Sequence, residues 1–216
     1  GRTHQSRGRG MYIDPAKLVC KATVTEEIEE YRPTHAFTDF TISDSLKKNI
    51  TAKGYTIPTP IQDKSIPNVL LGKDVVGIAN TGTGKTAAFL VPLVNKVIKN
   101  TSEKVLIIVP TRELAVQIEN EFTTFARGLS LYAVILIGGA NIGRQLGLLR
   151  RRYNFVVGTP GRIKDMVERR AINLSEFKTL VLDEADRMLD MGFIKDIRSM
   201  VSLLPRDRQT LFFSAT

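Results

Sequence analysis

Short apolar runs recur along most of this chain, and longer stretches with helical spacing separate them. The runs cover 75–79, 105–109, 131–137, 155–158, 180–183 and 210–213, each rich in Val, Ile, Leu or Phe with little polar alternation. Strands of that kind are buried on both faces. Helical spacing is read at 44–53, 85–99, 112–127, 142–151, 162–168 and 194–203. Ser43 or Asp44 caps the first of these helices and Gly54 ends it. Alternating strands and helices predict an α/β domain, a mostly parallel β-sheet with helices on both faces. Such sheets bind ligands at the carboxyl ends of their strands.

The regular pattern starts at Phe37. Residues 1–10 carry Arg2, His4, Arg7 and Arg9 among Gly, Ser, Thr and Gln, with neither an acid nor an apolar residue. That composition cannot form a core. Residues 11–36 include an acidic run from Glu26 to Glu30 and then Pro33, which reads as a linker with room for one short helix. The expected organisation is a flexible basic tail and linker over 1–36, followed by one domain over 37–216. Ser214-Ala215-Thr216 comes directly off an apolar run, which reads as a cut between two domains.

Bulk properties add a preference for partners. At 216 residues the chain suffices for one substantial α/β domain. Lys and Arg number 31 against 22 Asp and Glu, a formal charge of +9 that favours polyanions. Cys20 is the single cysteine, so neither an internal disulfide nor a cysteine-built metal site can form. No apolar stretch approaches a membrane span and no signal-peptide core opens the chain. The expectation is an intracellular protein, cytoplasmic or nuclear, with no membrane partner.

Two motifs carry the chemistry. Ala79-Asn80-Thr81-Gly82-Thr83-Gly84-Lys85-Thr86 follows the first apolar run and opens a helix. A glycine-rich turn in that place forms a nest of backbone N–H groups for phosphate. Lys85 then neutralises the phosphates and the Thr86 hydroxyl is offered to Mg²⁺. The general pattern has glycine where this chain has Ala79, so the match is incomplete there. Asp183-Glu184-Ala185-Asp186 follows the fifth run. Asp183 is placed to hold Mg²⁺, and Glu184 to polarise an attacking water. Taken alone, the acids also suit a solvated helix start. Together the two motifs describe a nucleoside triphosphatase.

With these motifs the chain resembles the N-terminal, RecA-like domain of a DEAD-box RNA helicase from Phe37 to Thr216. The resemblance rests on Gly54-Tyr55 with Pro58-Thr59-Pro60-Ile61-Gln62, the phosphate loop, and Pro110-Thr111-Arg112-Glu113-Leu114-Ala115. It continues through Gly138-Gly139, Thr159-Pro160-Gly161-Arg162, the acidic tetrad and Ser214-Ala215-Thr216. Asn80 stands where the family commonly has Gln. The resemblance implies ATP with Mg²⁺ and catalytic roles for Lys85, Asp183 and Glu184. It implies adenine recognition by Gln62, whose carboxamide can accept from N6 and donate to N7, with Tyr55 stacking on the base. Phe37 would buttress that pocket, and Thr59 would tie the segment to the loop at Thr81, Gly82, Thr83 and Gly84. By spacing alone, Phe37 and Tyr55 read equally as core aromatics.

Arg112, Gly139, Thr159 and Arg162 are implied to face the backbone of single-stranded RNA, largely without sequence preference. Spacing alone would make the two arginines helix-start residues. Arg150-Arg151-Arg152 and Arg169-Arg170 read first as solvated surface, with an auxiliary RNA role as the second reading. Ser214 and Thr216 are implied to hydrogen-bond toward Asp186 and couple nucleotide to RNA. A second RecA-like domain and activating proteins are the further partners implied.

Overall fold

The computed structural model describes residues 31–215. Six parallel strands form one sheet: β1 (Val75–Ile78), β2 (Val105–Ile108), β3 (Ala133–Leu136), β4 (Phe155–Gly158), β5 (Thr179–Leu182) and β6 (Gln209–Ser214). Their order across the sheet is β1-β6-β5-β2-β4-β3. β2, β4 and β5 are buried at every position, as interior strands of a doubly covered sheet must be. The edge strands β1 and β3 are only partly buried, and Val76 and Ile78 stand exposed.

Eight α-helices accompany the strands among the described residues: α1 (Asp44–Ala52), α2 (Pro60–Leu70), α3 (Lys85–Lys99) and α4 (Arg112–Phe125), then α5 (Ile142–Leu149), α6 (Pro160–Glu168), α7 (Ala185–Asp190) and α8 (Ile194–Leu203). Successive strand residues point to opposite faces and so feed two cores. Ile107, Phe155, Val157 and Val181 join the apolar faces of α1–α4. Leu106, Ile108, Val156 and Leu180 join those of α5–α8. On α4 the buried residues are Ala115, Ile118, Phe122 and Phe125, the stripe that helical periodicity requires.

All six expected strands are present, within a few residues of the predicted limits. Three short elements escape the sequence pattern: α2, α7 and a 3₁₀ turn at Leu174–Glu176. Pro60 and Pro67 mask the periodicity of α2, although Pro60 occupies the first helical turn, where a missing N–H costs nothing. α6 likewise starts at Pro160, two residues ahead of the expected 162.

The compact unit begins at Pro33, ahead of the expected boundary at 37. The amides of Thr34 and His35 donate to the Asp63 carboxylate at 2.8 and 3.2 Å, which fastens this stretch to α2. The expectations for 1–30 lie outside the described residues.

The sheet order arranges the loops that follow the strands. The phosphate loop after β1, the Ser214-Ala215 end of β6 and the acidic tetrad after β5 come together in one half of the carboxyl edge. The loops after β2, β4 and β3 form the other half. Close packing in that second half depends on Gly158, where a Cβ would lie 2.4 Å from the Leu136 carbonyl oxygen. Backbone cannot yield there as a side chain could. Gly158→Ala is therefore expected to lower the unfolding free energy by about 1–3 kcal/mol, read by urea denaturation. An unchanged midpoint would contradict this packing.

Candidate nucleotide and nucleic-acid sites

At the end of β1 the chain turns through Gly82 (φ +81°) and Gly84 (φ +87°) before entering α3. Both conformations favour glycine and aim backbone amides outward. Ala79 has no such φ. Its N–H donates to the Ser214 carbonyl at 3.0 Å and extends the β1–β6 ladder, so the missing glycine of the general pattern is not needed.

A cavity of about 380 Å³ opens over this turn, lined by Thr81, Gly82, Gly84, Lys85, Thr86, Asp183 and Glu184. Lys85 is buried, and its Nζ finds no hydrogen-bond partner among the described residues. A buried, unpaired ammonium is unfavourable by itself and suits a polyanionic ligand. Burial pushes the Asp183 carboxyl up to about 6, while the Lys85 cation and the Glu184 amide, which donates to Asp183 Oδ1 at 3.0 Å, act against that rise. Thr86 and Asp183 bring hard oxygen donors to the same cavity, a set that suits Mg²⁺ retaining waters and phosphate oxygens.

Glu184 adopts a left-handed conformation (φ 51°, ψ 49°) at the start of α7. For a non-glycine residue this costs about 1–2 kcal/mol, and such strain concentrates at functional sites. Arg187 Nη1 donates to Glu184 Oε2 at 3.2 Å. Asp186 accepts from the Ala215 amide at 3.2 Å. The expected partners of Asp186 are Ser214 and Thr216; the bond seen here comes from the backbone of the residue between them. Thr216 itself lies outside the described residues.

The adenine end differs most from expectation. Gln62 is buried and does not line the cavity. Its Oε1 accepts from the Thr59 amide at 3.0 Å, and its Nε2 donates to the Gly84 carbonyl at 3.1 Å. As third residue of α2 it closes a capping box on Thr59. The tie from this segment to the phosphate loop therefore runs through Gln62. One N–H and one lone pair of the carboxamide remain for a base.

Tyr55 does reach the cavity. Its ring stacks on Phe37 at 5.6 Å, and Phe37 is a core residue. Burial pushes the Tyr55 phenol up to about 12, helped by Glu121, which accepts its proton at 3.0 Å. Lys53 Nζ also pairs with Glu121 at 3.0 Å. Leu114, Gln117 and Glu121 of α4 line the same cavity and escaped the sequence reading. Their signal was present, since positions 114, 117 and 121 share one helix face.

A separate cleft of about 550 Å³ lies over the other half of the edge. Thr111, Arg112, Gly138, Thr159 and Arg162 line it, so three loops distant in sequence converge with Met191 and Phe193 from the α7–α8 turn. Gly139 (φ +76°) lies beneath the Arg112 guanidinium, and a Cβ there would meet Arg112 Nη1 at 2.2 Å. Thr111 caps α4 through the Leu114 amide at 3.2 Å. Arg162 Nη1 donates to the Ala140 carbonyl at 3.4 Å, and its Nε lies 3.7 Å from Asp165. Two guanidinium groups beside two glycine turns and an aromatic ring suit a nucleic-acid backbone with a stacked base.

Comparison with known proteins agrees with this geometry. The family described as "DEAD/DEAH box helicase" matches residues 59–216. The ATP-dependent RNA helicase CshA of Limosilactobacillus reuteri is 49% identical over 83% of this chain and 36% of its own length. The DEAD-box ATP-dependent RNA helicase CshA of Bacillus subtilis is 47% identical over 85% of this chain and 37% of its own. The chain thus spans about a third of the length of these curated relatives. The crystal structure of a DEAD box protein from the hyperthermophile Methanococcus jannaschii superposes with a TM-score of 0.80 at 41% identity, over 84% of this chain and 50% of that one.

The buried Asp183 carboxyl has a consequence for stability. Its folded value of about 6 exceeds the unfolded value near 4, so the native state holds the extra proton in between. Asp183 therefore withdraws stability as pH rises from about 4 to above 6. In chelator-treated protein, Asp183→Asn is expected to gain up to about 3 kcal/mol relative to the parent between pH 4 and 7. Denaturant unfolding at the two pH values measures this, and a pH-independent difference would contradict it.

Proposed function

We propose, from the premise that this chain belongs to the DEAD/DEAH box helicase family, that it is the ATP- and RNA-binding first RecA-like domain of an ATP-dependent RNA helicase. The observation that carries this reading is the division of one sheet edge into a phosphate-type cavity and a basic cleft. Both are built by loops at the carboxyl edge of the same parallel sheet, and α4 lines both, with Arg112 at the cleft and Gln117 at the cavity.

In this reading the amides around Gly82 and Gly84 hold the nucleotide phosphates, and Lys85 neutralises them. Thr86 and Asp183 would hold Mg²⁺, which would screen the negative charge of the triphosphate. Glu184, its backbone held in a strained conformation, orients and deprotonates the attacking water. Tyr55, backed by Phe37, offers a stacking surface to the base, and Gln62 links base recognition to Gly84. The bond from Ala215 to Asp186 joins β6 to the acidic tetrad. Arg112, Thr159 and Arg162 grip RNA sugar and phosphate, with Arg112 seated on Gly139.

Stabilising the transferred phosphoryl group also needs cations, and among the described residues lining the cavity Lys85 is the one cation. A second RecA-like domain is the proposed source, and its approach across the edge would strain one RNA strand and open a short duplex. The working compartment is intracellular, and activating proteins are further candidate partners.

Calorimetric titration of the 216-residue chain tests this reading. ATP and ADP are expected to bind with Mg²⁺ more tightly than GTP. Gln62→Ala should weaken adenine nucleotides by about tenfold, the size of one or two lost hydrogen bonds. Hydrolysis by the chain alone should be nearly absent. Equal affinity for GTP, or RNA-stimulated turnover without a second domain, would overturn it.

A further inference from the structure

Two arginine runs, read from sequence first as solvated surface and second as an auxiliary RNA contact, meet in the folded domain. Arg150 ends α5, and Arg169 and Arg170 follow α6. Together they rim a depression of about 570 Å³ floored by Leu146, Leu149 and Ala171. Helix C-termini attract cations, which accounts for one arginine on each helix. It does not account for three, nor for the conformation of the last.

Arg170 has φ 55°, the left-handed position that ends many helices and usually holds glycine. Its amide donates to the Val167 carbonyl at 2.9 Å, and the Ala171 amide donates to the Met166 carbonyl at 2.9 Å, which closes the helix. Glycine would close it without strain. An arginine held there places a guanidinium at the rim of the depression at some expense in stability.

Ion pairs along α6 link the basic cleft to the rim of this depression. Asp165 lines the cleft, and its Oδ2 lies 3.7 Å from Arg162 Nε. Its Oδ1 accepts from Arg169 Nε at 2.6 Å. Arg162, Asp165 and Arg169 thus form one ladder on the face of α6, about 10 Å long at the helical rise. The other acid of this helix, Glu168, interacts with Lys164. A single carboxylate shared by two arginines leaves the track positive, and Arg150 and Arg170 add to it.

We propose that Arg150, Arg169 and Arg170 form a second phosphate-backbone site, which takes the RNA strand as it leaves the cleft over α6. The site reads charge and spacing, not base sequence. The track has room for about three further phosphates at the single-strand spacing, and its apolar floor accepts ribose or base edges. This rests on the cleft being the primary RNA site.

The test compares an oligouridylate of about six nucleotides, which fills the cleft, with one of about twelve, which continues beyond it. Fluorescence anisotropy of the full 216-residue chain at several salt concentrations gives both affinities. The double variant Arg150→Ala, Arg170→Gly should bind the short RNA as the parent does. It should bind the long RNA about three- to tenfold more weakly, with the salt slope reduced by about 1.4 for two lost contacts. Arg170→Gly alone removes backbone strain, so the fold should be at least as stable, which thermal unfolding verifies. Arg112→Ala should weaken both RNAs. If it weakens neither, the cleft reading fails. If Arg112→Ala acts but the double variant leaves the long RNA unaffected, or weakens both RNAs equally, the second site fails.

Discussion

β6 lies between β1 and β5, and its hydrogen bonds to both hold the chemistry of this domain in register. Val75 pairs with Leu211 on one side and Leu182 with Phe212 on the other. Through these two ladders the phosphate loop and the acidic tetrad, about a hundred residues apart in the chain, open into one cavity. Past the strand ends, the Ala79 amide donates to the Ser214 carbonyl and the Ala215 amide to the Asp186 carboxylate. Removing β6 from that place would leave Lys85 and Asp183 on unrelated surfaces.

The cavity itself runs against stability. Lys85 is buried without a hydrogen-bond partner among the described residues, Asp183 is buried with a raised pKa, and Glu184 sits in a left-handed conformation. Each is unfavourable by itself. The surrounding sheet, with β2, β4 and β5 fully buried, is what keeps such groups in place. Strain at the edge is tolerated because the core beneath it is rigid.

α4 connects the two halves of the edge. Its first residue, Arg112, reaches the basic cleft, while Gln117 and Glu121 face the nucleotide cavity. Glu121 in turn holds Tyr55 and Lys53. A small shift of this helix would be felt at both sites, since its buried stripe packs against the sheet as one unit. Gln62 plays a comparable part on the other flank, where it bonds the carbonyl of Gly84.

The sequence by itself determined the local elements and their chemistry. Unbroken apolar runs specified interior strands, glycines before Lys85 specified a phosphate nest, and proline turns before Arg112 and Arg162 marked helix starts. These features are legible because they depend on neighbours within a few residues. α2 was hidden by its prolines, and the Gln62 bond to Gly84 was hidden because its two partners stand 22 residues apart. Only the tertiary structure decided which loops share a site. Strand order cannot be read from apolar periodicity, and it is strand order that divides the edge in two. It also decided that Met191 and Phe193 join the cleft and that Arg150 meets Arg169 and Arg170. Local composition sets what each residue can do, while the long-range packing of the sheet sets what it does it with.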